Sequence, residues 1–178
     1  ISAEVHPTWR HDSAGFFLIT DRDSEYPYVA YYDIASATME KRYAYSWEVE
    51  LVALSSDDRY LAVTVNEDGY FKLHIYDLAN GDEVNIPQPP KGVVSGYGTL
   101  SWSPTGHKLL FTLSSGKRPE SVWLLDVDAD LLRAVTTADM HGLSQDMLCE
   151  PHLMRFTSFD GLEVPFWLYV PHGAEMKN

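Results

Sequence analysis

The sequence is poor in cysteine and in positive charge, and it has no long apolar run. One cysteine, Cys149, stands among 178 residues, so no internal disulfide framework can form. No stretch of about 18 apolar residues occurs, so no membrane-spanning helix is expected. Lys and Arg number 13 against 26 Asp and Glu, a net charge of -13. That field repels nucleic-acid phosphates and anionic bilayers, which argues against both as partners. Helical periodicity is also scarce; residues 138 to 149 offer one or two turns at most. What is present is ordinary for a globular chain: 45% hydrophobic and 22% charged residues. A chain of this size can bury about 70% of its unfolded surface without covalent staples.

The chain begins at Ile1 and closes on Gly-Ala-Glu-Met-Lys-Asn, which reads as an excised piece of a larger protein. One cysteine and no visible leader point to the cytoplasm.

A repeat organises most of the length. Trp9-Arg-His-Asp-Ser-Ala-Gly-Phe-Phe-Leu-Ile-Thr20 matches Leu54-Ser-Ser-Asp-Asp-Arg-Tyr-Leu-Ala-Val-Thr64 and Trp102-Ser-Pro-Thr-Gly-His-Lys-Leu-Leu-Phe-Thr112. The anchors Trp9, Leu54 and Trp102 lie 45 and 48 residues apart. Further along, Asp33, Asp77 and Asp126 each close an apolar run, 13, 13 and 14 residues after the respective threonine. Apolar residues alternate with period two: Leu61, Val63 and Val65; Phe71, Leu73 and Ile75; Leu109, Phe111 and Leu113. Asp68-Gly69, Asn80-Gly81, Pro104-Thr105-Gly106 and Ser115-Gly116 punctuate the strands.

Four short strands in about 45 residues is the arithmetic of a propeller blade. The expected fold is all-β: a partial β-propeller of three four-stranded blades near 4–49, 50–98 and 99–137, then a β-hairpin. Each repeat Asp is expected to accept backbone N–H groups and close the turn into the fourth strand. Trp9, Leu54 and Trp102 are expected to pack between neighbouring sheets. After a connector at 138–151, two strands follow around Asp160-Gly161, with Leu153, Arg155 and Thr157 on one face. Pro165 belongs at an edge, because it cannot donate to a ladder.

Trp102-Ser-Pro-Thr-Gly106 within such blades resembles the propellers of prolyl oligopeptidase family serine peptidases and of the related TolB-type proteins. Phe156-Thr-Ser-Phe-Asp-Gly161 followed by Phe166-Trp-Leu-Tyr-Val-Pro171 resembles the opening hairpin of that family's α/β-hydrolase domain. The acylaminoacyl-peptidase and dipeptidyl-peptidase-like branch is the nearest in pattern. The resemblance implies a parent that cleaves short peptides, with the propeller gating a Ser-Asp-His site, and 152–178 as the start of its hydrolase domain. The remaining blades and the hydrolase domain would be its partners, and an isolated piece would self-associate through open blade faces. The alternative is a non-enzymatic TolB-like scaffold that binds a protein.

No catalytic residue is carried over. Gly-x-Ser-x-Gly, the nucleophile elbow, does not occur. Gly142-Leu-Ser144-Gln-Asp146 comes nearest, but Asp146 stands where the tight turn needs glycine. His172-Gly173 starts like an oxyanion-type His-Gly-Gly and continues with Ala174. Asp126, Asp128 and Asp130 begin like a calcium loop, yet Leu131 and Thr137 occupy the positions that need Gly and Glu. Asp21, Asp23 and Glu25 read as a solvated tip. His141, Cys149 and His152 lack the second close pair of a zinc site. His6, His11, His74, His107 and His172 fall in no motif, and the aromatics from Tyr26 to Trp47 read as sheet packing. No metal or cofactor site is read from this sequence.

Overall fold

A computed structural model describes residues 4–94, 100–171 and 173–174, the first three of them by backbone alone. The chain is all-β. The first sheet runs β1 (Glu4–Trp9), β2 (Gly15–Thr20), β3 (Tyr28–Asp33) and β4 (Thr38–Tyr43). The second holds β5 (Glu48–Leu54), β6 (Tyr60–Glu67), β7 (Tyr70–Asp77) and β8 (Glu83–Val84). The third holds β9 (Ser101–Trp102), β10 (Lys108–Ser115), β11 (Arg118–Asp126) and β12 (Leu131–Ala134). Each is an antiparallel meander in chain order, so each reads as one blade of a partial propeller.

The turns show why the sequence repeats. Between first and second strands, Ser13, Asp58 and Gly106 occupy equivalent positions with φ of 59°, 62° and 71°. Between third and fourth strands, Ala37, Gly81 and Asp130 do the same, at 52°, 81° and 50°. Each blade therefore needs two left-handed residues, and each turn recruits Gly or a small or polar residue to supply them. Ser103 explains its place in Trp-Ser-Pro-x-Gly. Its hydroxyl lies 2.8 Å from the Thr105 carbonyl and 3.0 Å from that of Gly106, holding the turn from inside.

Register corrects one detail of the repeat. Trp9 pairs with Phe16, Leu54 with Leu61 and Trp102 with Leu109. Thr20 is therefore equivalent to Val65 and Leu113, one position away from Thr64 and Thr112. The turns and strands are of equal length, and the threonine of blade one simply stands one position further along its strand, so the shared Thr is a coincidence of composition.

Two apolar cores lie between the sheets. Phe17, Ile19, Val29 and Tyr31 of the first blade meet Leu61, Val63, Val65 and Tyr76 of the second. Ala62, Phe71, Leu73 and Ile75 on the other face of the second blade meet Leu109, Phe111, Leu113 and Leu125 of the third. Period two thus serves both faces of the middle sheet, which explains its almost continuous burial from Tyr60 to Val65.

After the third blade the connector makes one short 3-10 turn, Gln145–Met147. The hairpin β13 (His152–Thr157) and β14 (Glu163–Leu168) follows. Its loop closes through Ser158 N–H to the Leu162 carbonyl at 2.8 Å and Gly161 N–H to the Ser158 carbonyl at 3.0 Å. Pro165 sits opposite Arg155 in a two-stranded sheet, where every strand is an edge. Among the described residues no helix is long and apolar enough to cross a membrane.

Candidate functional site

The hairpin does not hang free. It leans on the tips of the second and third blades, and a cleft of about 200 Å³ opens along the contact. The β6–β7 turn supplies one wall. Asp68 and Gly69 both have positive φ, 54° and 78°, as a two-residue hairpin turn requires. Gly69 is needed for a second reason: a Cβ there would lie 2.9 Å from the Trp167 indole nitrogen. Trp167 instead lies against that backbone and meets Tyr70 edge to face, with ring centroids 4.6 Å apart. The Arg155 guanidinium pairs with Asp68 across the same junction. Asp68 Oδ1 is buried with no partner among the described residues.

The third blade grips the connector. Gly116 leaves room for Pro151 and the Cys149 carbonyl, which a Cβ would meet at 2.6 and 2.9 Å. Lys117 Nζ stands 3.9 Å from the Glu150 carboxylate. Between the blades, Val93 and Ser114 exchange two backbone hydrogen bonds of 2.8 and 3.0 Å, which fixes the inter-blade segment as the cleft floor.

The lining is aromatic with one charge of each sign. Tyr70, Trp167 and Tyr169 provide rings; Lys91 and Glu150 provide charge. Lys91 Nζ sits 5.2 Å from the Tyr70 ring centroid. Burial raises the Tyr70 phenol above its usual range, and the nearby Glu150 carboxylate adds to this, so the phenol stays neutral. A shallower groove of about 580 Å³ shares Tyr70, Lys91, Glu150 and Pro151 and extends past Trp47, His152 and Met154. The chemistry of this arrangement is recognition: apolar faces, one ammonium, one carboxylate. Ser114 and Ser115 line the cleft, and no histidine does among the described residues.

The residues singled out from sequence fall as follows. Trp9, Leu54 and Trp102 each end the first strand of their blade. Leu54 is buried, and the Trp102 indole N–H donates to the Ala53 carbonyl at 3.1 Å across the blade seam. Trp9 departs from the expected inter-sheet packing. It is 55% exposed and rests on Phe16 of its own sheet, because no described strand lies beyond that face. Asp33, Asp77 and Asp126 end the third strands and accept N–H groups from Ser36, Ala79 and Ala129 at 2.8, 3.0 and 3.2 Å. Asp126 also pairs with Lys108 at 3.0 Å, and Asp128 with His107 at 2.8 Å, so these carboxylates are engaged within the blade.

Ser144 caps the 3-10 turn, its hydroxyl accepting from Asp146 N–H at 3.2 Å. His141 pairs with Asp139 at 3.2 Å in the exposed connector. Among the described residues no group of three or more His, Cys, Asp and Glu side chains is placed to hold a metal ion. His172 and the side chain of His6 lie outside the described residues.

Two features escape sequence reasoning. One is the cleft, whose walls come from segments up to a hundred residues apart. The other is a pair of inter-blade clamps. His107 of the third blade bridges Asp57 of the second, at 2.9 Å, and Asp128 of its own blade. His11 of the first blade meets Asp58 at 2.7 Å. The signal was the Asp57-Asp58 doublet in the β5–β6 turn, legible only once the blades are placed side by side.

No family model matches the chain, and no curated protein matches it in sequence. Solved structures do. The chain is similar to puromycin hydrolase with a TM-score of 0.78 at 21% identity, over 96% of this chain and 26% of that one. A puromycin-hydrolyzing peptidase of Mycobacterium tuberculosis gives 0.76 at 19% identity, over 94% and 26%. Prolyl oligopeptidase B of Galerina marginata gives 0.74 at 13% identity, over 98% and 25%. At these identities the likeness establishes a shared fold, blades and hairpin together. The chain spans about a quarter of the length of these proteins.

Proposed function

We propose that this chain is the propeller-and-hairpin part of a serine peptidase of the prolyl oligopeptidase family. In this reading the blades cover a Ser-Asp-His hydrolase site made by sequence other than these 178 residues. They restrict entry to short peptides and contribute to holding them. The reading is carried by one observation: a hairpin follows the third blade after a short connector and is bolted to the tip of the second blade through Trp167, Tyr70, Arg155 and Asp68. A propeller serving only as a scaffold has no use for such an appendage. The single cysteine suits a reducing compartment such as the cytoplasm.

The test has two arms. Coding sequence beyond the Asn178 codon is expected to supply Gly-x-Ser-x-Gly, then Asp and His in that order. The protein of natural length is expected to react with a fluorophosphonate probe and to hydrolyse short chromogenic peptides. A gene that stops at Asn178, or a natural-length product that ignores the probe, overturns the peptidase reading and leaves the TolB-like scaffold.

A further inference from the structure

A second cavity, of about 110 Å³, opens in the seam between the first and second blades. It lies at the far end of β7 from the cleft. Tyr70 begins that strand beside the hairpin, and Leu78, just past its end, lines this cavity. Eight residues of strand set the two roughly 25 Å apart. Both walls belong to the seam itself: Phe17 and Tyr31 reach the cavity from the buried core of the first blade, and Leu78 from the second.

The charge on the lining is of one sign. Arg10 and Arg42 are the charged residues there, in a chain whose net charge is -13. Asp12, 2.9 Å from Arg10, and Glu40, 3.4 Å from Arg42, pair with the guanidiniums from outside the lining. Asp58 Oδ2 stands 3.6 Å from Arg10 Nε, and that nitrogen is buried without a hydrogen bond. A guanidinium carries five N–H donors, so most of these are unspent. The phenols repeat the pattern. Tyr31 is 9% exposed, and neither its hydroxyl nor that of Tyr43 has a hydrogen-bond partner among the described residues. Gly15 is required beside Tyr31, because a Cβ there would collide with the phenol oxygen. Arg42 lies over the Tyr31 ring, 5.6 Å from its centroid, which steadies its planar fork. Burial, aided by Tyr76, raises the Tyr43 phenol against the lowering pull of Arg42, so it stays a neutral donor.

We propose that this cavity binds a carboxylate carried on a short apolar body, either a free short-chain acid or the C-terminal residue of a peptide. The planar carboxylate matches a guanidinium fork, and the two phenols are further donors to it. Phe17, Leu78 and the ring faces take the hydrocarbon. Phosphate fits less well, since its second charge would be set against apolar faces that it cannot cover. The inference does not depend on the peptidase reading, because both walls of the seam lie within these two blades.

The experiment is calorimetric titration of the protein of natural length, first treated with the fluorophosphonate probe so that no peptide is turned over. The ligands are butanoate, methyl butanoate, inorganic phosphate, and a tripeptide ending in leucine, as free acid and as amide. Butanoate or the free-acid peptide is expected to saturate one site at about 1 mM, and the ester and amide to give no saturation. Which acid binds identifies the source. Arg42→Gln, at a half-exposed side chain, is expected to weaken binding about tenfold, and Tyr31→Phe about threefold, with unchanged circular dichroism spectra. Failure of both acids to saturate overturns the proposal. So does binding that neither substitution weakens, an ester held as tightly as its acid, or phosphate held more tightly than butanoate.

Discussion

Asp57 and Asp58 are neighbours in one turn, and they grip in opposite directions. Asp58 takes His11 from the first blade and Asp57 takes His107 from the third. Burial alone would lower the His107 pKa, but the hydrogen bonds to Asp57 and Asp128 outweigh it and raise the group above 6.5. The His107 bond in turn holds Asp57 well below the usual carboxylate range. A raised histidine stabilises the fold fully below its unfolded pKa and loses that contribution as pH rises through the folded value. A depressed carboxylate contributes above its unfolded pKa and loses that on acidification. Urea midpoints are therefore expected to fall as pH rises from about 6 to about 8. His107→Gln should flatten that slope and cost about 1 kcal/mol at the acid end, a modest figure because both carboxylate partners are about half exposed. A second residue-level test is Thr64→Val. The Thr64 hydroxyl accepts the Leu51 N–H at 3.0 Å where β5 breaks register between Val49 and Leu51. Orphaning that donor should destabilise by about 1–3 kcal/mol in chemical denaturation.

Strands and turns were written plainly in the sequence; their neighbours were not. Alternation around Val63 and Phe111 announces strands because β side chains alternate faces, and Asp68-Gly69 announces its own turn. Which threonine matches which was misleading, because period two cannot distinguish a register from one slipped by a residue when both faces are apolar. The cleft was illegible for a different reason: Tyr70 and Trp167 carry no local mark of contact across nearly a hundred residues. Ala37→Gly tests the turn rule, since Ala37 bears a φ of 52° that glycine adopts without strain. It should raise stability by about 0.5–1 kcal/mol. Trp167→Ala tests the docking of the hairpin. Hydrogen exchange is expected to quicken across 152–168, while amides around Leu61 and Leu109 keep their protection.

At the scale of the molecule, stability resides in two seams between three sheets. Phe111, 1% exposed in the second of them, is expected to cost about 3–5 kcal/mol when cut to alanine, enough to unfold a marginal chain. The hairpin adds an asymmetry. Trp167 and Arg155 fasten it to the second blade, and the connector beneath Gly116 and beside Lys117 fastens it to the third. Blades two and three are thus joined by a seam and a strap, while the first blade is held by its seam and the His11 clasp. Under mechanical load the molecule is stiff at one end and compliant at the other: a force trace should show the first sheet peeling away as a separate early rip, with the strapped pair yielding together afterwards.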